Sequence, residues 1–194
     1  MNKSRLEAFS DGVLAIIITI MVLELKVPHG ADWADLRPVL PFFFSYILSF
    51  VYIGIYWGNH HHLMHTVKNI SPAIIWANMH LLFWLSIIPF ATSWMAENDF
   101  ARNPLIVYAT LLLICGCAYT ILQLAIQKVN TFSPALDAAM AVVKRKGIIS
   151  ILGYVASIAF TFFNTMISGL LIVIIAIMWI VPDRHIEKAL TEEK

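Results

Sequence analysis

Apolar residues along this chain fall into long runs broken by short polar stretches. Six runs can be delimited: 6–26, 39–61, 72–95, 104–128, 147–163 and 166–181. The first four each approach the length of about 20 residues that an α-helix needs to cross some 30 Å of hydrocarbon. None shows alternation of apolar and polar positions over strand-length segments, so a β-barrel is excluded. Pro104 suits a first helical turn, and Pro89 predicts a bend within the third run. Only the residues near Asn164 and Thr165 separate the fifth and sixth runs, so these two are expected to form an antiparallel hairpin. The intervening segment 131–146, TFSPALDAAMAVVKRK, is too polar to cross a bilayer. Its Ser133-Pro134 pair is a helix-start signal, and it is expected to form a short interfacial or cytoplasmic helix. The pattern therefore predicts an all-α membrane protein of six transmembrane helices, with residues 1–194 as one integral membrane domain.

Composition agrees. Hydrophobic residues make up 60% of the chain and charged residues 13%, with a mean hydropathy of +0.78. Soluble domains carry about 25% charged residues, so lipid must cover much of this apolar surface. A net charge of +1 gives no reason to expect nucleic acid. The 13 basic residues divide unevenly, because only Lys26, Arg37 and Arg102 flank the runs on one side. Lys3, Arg5, Lys68, Lys128, Lys144, Arg145, Lys146, Arg184, Lys188 and Lys194 lie on the other side, which also carries both termini. The positive-inside rule then places both termini in the cytoplasm of a multi-pass protein of the cell membrane. The N-terminus does not read as a signal peptide, since Glu7 and Asp11 interrupt it. Cys115 and Cys117, two apart in an apolar run, do not share a helix face and read as small buried residues without a disulfide.

The first run is unusual. Asp11 and Glu24 bracket an uncharged stretch, Gly12 to Leu23, that rises only about 18 Å as a helix. At 100° per residue, Gly12, Ile16, Thr19, Ile20 and Leu23 share a face, with Phe9 and then Arg5 continuing it toward the N-terminus. Asp11 lies about 140° from Ile16 on this wheel. Two readings of Asp11 follow: a helix N-cap at the interface, or a buried polar lock against the end of the second run, Trp57-Gly58-Asn59-His60-His61-His62. The Ile16 face likewise reads either as a packing stripe or, if several copies surround an axis, as a hydrophobic constriction. Glu24, near the outer end, would attract cations.

Four histidines, His60, His61, His62 and His65, close the second run. His61 and His65 have the spacing of a helical metal-ligand pair, yet no acidic or cysteine ligand lies close in sequence and His80 is the only histidine in another run. Hydrogen-bonded structural or interface histidines are the expectation, and no metal site. No nucleophile–base pair, phosphate loop or paired intramembrane carboxylates occur, so an enzyme is not expected. A secondary transporter would want broken inverted repeats, and none is evident. A non-conducting membrane scaffold is a further alternative.

The residues Arg5 to Leu23, RLEAFSDGVLAIIITIMVL, resemble the signature of the transmembrane-protein-175 family of potassium channels, in its prokaryotic branch. The Tyr56–His61 stretch YWGNHH, Asn78, and the Ile87–Phe90 stretch IIPF agree with it. His62 departs from the arginine expected there. The resemblance implies a six-helix repeat present once per chain, homotetramers, and first helices that line the pore. It implies that Ile16 forms the main hydrophobic constriction, with Thr19 giving a hydroxyl ring and Ile20 and Leu23 further apolar rings outward. Arg5, Phe9, Ser10 and Asp11 would form a structural signature packed against Trp57, His60 and His61, with Asn78 close by. The expected partners are lipid, three further copies of the chain and monovalent cations. No cofactor is expected beyond permeant K⁺.

Overall fold

The computed structural model describes residues 2–180. Val181, which ends the sixth expected span, and the basic residues Arg184, Lys188 and Lys194 lie outside the described residues. Those described form seven α-helices and one 3₁₀ segment, without a strand. The helices are α1 (Lys3–Leu23), α2 (Leu40–His65), α3 (Pro72–Leu85), α4 (Ile88–Glu97), α5 (Arg102–Val129), α6 (Pro134–Thr161) and α7 (Thr165–Ile180), with the 3₁₀ segment Trp33–Val39 leading into α2. Four stretches, Lys3–Leu23, Trp33–His65, Pro72–Glu97 and Arg102–Val129, are long and apolar enough to cross a membrane, and Thr165–Ile180 is a shorter apolar helix.

Two expectations are corrected. The third span is not one bent helix but two. Pro89 lacks an N–H for the Leu85 carbonyl and its ring presses on that turn, so α3 stops at Leu85, four residues before the expected bend. The chain restarts with Pro89 in the first turn of α4, where a missing N–H costs nothing. The second correction concerns 131–146. It does form a helix, and Ser133 caps it by accepting a hydrogen bond from the Leu136 N–H. It is not short, however, but runs without interruption through the fifth apolar run as one 28-residue helix. The buried positions Leu136, Met140, Val143, Ser150, Tyr154, Ser157 and Thr161 carry one helical stripe through the Lys144-Arg145-Lys146 triplet.

α5 is the central helix, packed against α3, α4, α6 and α7. Helix pairs are also joined by buried hydroxyls. Ser49 of α2 bonds Thr92 of α4 at 2.7 Å and Tyr108 of α5 at 2.9 Å. In the α6–α7 hairpin Ser157, Thr161 and Ser168 bond one another, and the Asn164 carboxamide oxygen accepts from the Met166 and Ile167 N–H groups at the start of α7. Such pairing matters where no water is available to replace a lost partner, although the buried Ser45 hydroxyl of α2 has no partner among the described residues. Cys115 is buried as expected, but Cys117 is exposed, because a two-residue step turns it to the other side of α5.

Candidate functional site: the first helix and its anchors

α1 begins at Lys3, capped by the Asn2 carboxamide, which accepts from the Arg5 N–H. Asp11 is therefore two turns inside the helix and is not its N-cap. Only one narrow stripe of α1 packs within the subunit: Leu6, Ser10, Leu14, Ile17 and Met21. That stripe meets α2, α3 and α4. Phe9, Ile16, Ile20 and Leu23 stay 49%, 58%, 44% and 80% exposed, and Gly12 and Thr19 are exposed between them. The face drawn from the sequence is thus the one its own subunit leaves uncovered.

The Thr19 hydroxyl donates to the Ile16 carbonyl at 2.9 Å. With its proton engaged along the helix, the oxygen presents lone pairs and no donor to the uncovered side. At the opposite end of the face, the Arg5 guanidinium has no hydrogen-bond or ion-pair partner among the described residues.

The anchors are built from Ser10 rather than Asp11. Ser10, fully buried, donates to the Leu6 carbonyl at 2.8 Å and accepts from Asn78 Nδ2 at 2.9 Å. Asn78 Oδ1 lies 2.7 Å from His60 Nε2. Because the Asn78 amide nitrogen already donates to Ser10, its oxygen must accept, so His60 carries its proton on Nε2. One residue along α1, Asp11 is exposed on its own subunit, and its carboxylate accepts from Trp57 Nε1 at 3.0 Å. The aspartate is a lock onto α2, as one reading had it, but it is not buried within the subunit. The Asn78–Ser10–Leu6 relay was missed by wheel reasoning centred on Ile16. Its signal was present in the serine at a 3–4 spacing between Leu6 and Leu14.

The histidines divide between two roles. His60 turns inward to Asn78, while His61 stacks on the Trp57 ring, with centroids 6.3 Å apart, and meets His65 edge-on at 4.4 Å. Lys3 Nζ donates to the His65 carbonyl at 3.1 Å, tying the start of α1 to the end of α2. Among the described residues no group of three or more His, Cys, Asp or Glu side chains is arranged to hold a metal ion.

At the other end of α1, Glu24 accepts from the Ser93 hydroxyl of α4 at 2.9 Å, and Lys26 pairs with Glu97 at 2.7 Å. The Glu24 carboxylate is thus held by a hydroxyl and not by the Lys26 ammonium, which pairs with Glu97. The partner Ser93 had no counterpart in the sequence reading.

Comparison with known proteins gives a consistent result. The family model described as "Endosomal/lysosomal potassium channel TMEM175" matches residues 5–89, which hold the Ser10–Asn78–His60 relay and the Asp11–Trp57 bond. A protein of Chryseobacterium sp. (strain P1-3) named as a potassium channel is 53% identical over 192 residues, covering 99% of this chain and 100% of the relative. A Streptomyces collinus protein, also named as a potassium channel, is 33% identical over 173 residues, 84% of each chain. A human protein named as an endosomal/lysosomal proton channel is 33% identical over 116 residues, covering 54% of this chain and 23% of its own length. The crystal structure of a lysosomal potassium-selective channel TMEM175 homolog from Chamaesiphon minutus superposes with a TM-score of 0.77 at 27% identity, covering 93% of this chain and 97% of that one.

Proposed function

This chain belongs to the TMEM175 family, and we propose that it is a potassium-permeable cation channel that conducts passively between the first helices of four identical subunits. The observation that carries this reading is the uncovered face of α1. A helix that packs along one stripe, exposes Ile16, Ile20 and Leu23, and has charged residues close to both ends of its apolar stretch is poorly suited to lipid. It is well suited to a shared axis. Four copies of Ile16 would then meet as a ring that excludes water until it widens. Ile20 and Leu23 would add apolar rings beyond it. Glu24, whose charge is not taken up by Lys26, would raise the local cation concentration at the outer mouth. Arg5, Phe9, Ser10 and Asp11, with Trp57, His60, His61 and Asn78, would hold the register of the pore helix rather than touch the ion. Ten of the 13 basic residues lie on the side of the termini, and this supports cytoplasmic termini in the cell membrane.

Thr19 is the one polar side chain on the Ile16–Leu23 face, with its oxygen turned outward as an acceptor. Such an oxygen replaces part of a cation's hydration at little cost. Thr19→Val keeps the shape of the side chain and removes that oxygen. The expected result is a lower K⁺ over Na⁺ permeability ratio with thermal stability unchanged, read from reversal potentials in bilayers under bi-ionic conditions. An unchanged ratio would remove Thr19 from the ion pathway.

The reading as a whole is tested by potassium efflux from liposomes holding the purified protein. Flux should follow the voltage set by the ion gradients, without exchange for a second ion. Obligatory exchange would favour a transporter, and no flux a scaffold. Flux carried by protons alone would instead match the printed name of the human relative.

A further inference from the structure

A crevice on the side of the molecule away from α1 opens between α2, α5, α6 and α7. It is a narrow slit, partly open to the surroundings, with a cavity volume of about 40 Å³. Its inner wall is formed by the rings of Tyr52, Tyr56, Tyr119 and Tyr154. Most of the polar groups along it are already engaged. Tyr52 Oη donates to the Ile172 carbonyl, Tyr119 Oη to the Asn59 carbonyl and Gln123 Nε2 to the Met140 carbonyl. Trp179 Nε1 donates to Ser150 Oγ, which in turn donates to the Lys146 carbonyl. A polar solute entering here would lose its water and find few free partners, whereas a hydrocarbon chain would meet ring faces and methylenes.

The mouth has the opposite character. Lys144 is the one charged side chain in the lining, no carboxylate accompanies it, and it is exposed beside Arg145. Nearby, Lys146 Nζ stands 5.6 Å over the Trp179 ring, and tryptophan with a basic residue is the usual marker of the bilayer surface. Basic mouths of clefts between transmembrane helices, at this level, recognise anionic lipid headgroups. The slit between α5 and α6 is held open by two glycines. A Cβ added at Gly116 or Gly147 would meet nothing nearer than 4.0 Å or 3.9 Å, respectively.

We propose that this crevice binds an anionic phospholipid, with one acyl chain against the tyrosine wall and the phosphate on Lys144. The inference rests on the chain lying in a bilayer and not on ion conduction, so failure of the channel reading leaves it standing.

The test is native mass spectrometry of the detergent-purified protein titrated with dioleoyl phosphatidylglycerol, dioleoyl phosphatidylcholine or inorganic phosphate. Phosphatidylglycerol should be retained in preference to phosphatidylcholine. Lys144→Gln should weaken its retention about fivefold, the effect of one basic residue at an anionic headgroup. Lys128→Gln, which removes an exposed charge outside the crevice, should leave retention unchanged. Gly147→Leu, which fills the slit, should reduce retention of both lipids. Inorganic phosphate should not displace the bound phosphatidylglycerol. Equal retention of the two lipids, an equal loss in Lys144→Gln and Lys128→Gln, or displacement by phosphate would each overturn the proposal. The last result would place the binding on surface charge alone. Lys144→Gln alters an exposed residue, so it remains informative even if Gly147→Leu fails to fold.

Discussion

Ile16→Ala is expected to increase potassium flux at least tenfold and to let sodium through with it. The side chain is 58% exposed on its own subunit, so truncation does not open a cavity in the fold and the usual cost of about 2–5 kcal/mol for a buried Ile→Ala change does not apply. What changes is the ring. In the proposed four-subunit pore each copy would lose most of an apolar side chain, the constriction would widen, and water and ions would face a lower entry barrier. A drop of about 1.4 kcal/mol is already tenfold in rate. A wider, wetter passage also strips less water from the ion, so discrimination between K⁺ and Na⁺ falls. Liposome flux gives the first quantity and bi-ionic reversal potentials the second. If both match wild type, with the thermal transition also unchanged, Ile16 is a packing residue at some other interface.

The second large effect is expected at Asn78. Its carboxamide is the middle link between Ser10 on α1 and His60 on α2. Asn78→Leu would leave the His60 Nε2–H without an acceptor and remove one donor from Ser10, in a buried site closed to water. An orphaned buried group costs about 1–3 kcal/mol, so the thermal transition of the solubilised protein should fall by several degrees. The informative comparison is the pair Asn78→Leu with His60→Leu. Removing both partners replaces a half-satisfied network by an apolar contact and should recover part of the loss. If the single variant is as stable as wild type, the relay does not hold α1 in place. Strictly additive losses in the double variant would mean that the two groups are not coupled.

The divisions between what could and could not be read in advance have physical causes. The first four apolar runs fall on the four stretches that are long and apolar enough to cross a membrane, because length and hydropathy are local properties. The separation of the Ile16 face from the rest of α1 followed from helical periodicity alone. Periodicity gives the angle of a side chain but not what lies opposite it. For that reason Asp11 looked like the buried lock, while Ser10 holds that position and Asp11 meets Trp57 at the subunit's surface. The family resemblance named Ser10, Asp11, Trp57, His60 and Asn78 together, but not how they divide into one buried relay and one exposed bond. The full length of α6 was not legible because the polarity of 131–146, with Lys144-Arg145-Lys146 at its end, pointed to a short helix outside the bilayer. The triplet lies between Met140–Val143 and Ser150–Tyr154 on an unbroken stripe, and residues of high helix propensity such as Ala, Met, Lys and Arg fill that stretch. A bend was foreseen at Pro89, but α3 ends four residues earlier, because a proline disrupts the turn that precedes it.

The unbroken α6 also sets a length scale. From Gly147, the first residue beyond the basic triplet, to Thr161 the helix rises only about 22 Å at 1.5 Å per residue. A typical hydrocarbon layer is about 30 Å thick. The hairpin turn that follows exposes Phe162, Phe163 and Met166, side chains at home in acyl chains and not in water. With the triplet held at one surface, the turn ends inside the hydrocarbon unless the lipid around it compresses. Mismatch of this kind costs fractions of a kcal/mol per ångström. Bilayer thickness is therefore a variable this protein feels directly, and short-chain lipids are the solvent in which its periphery is least strained.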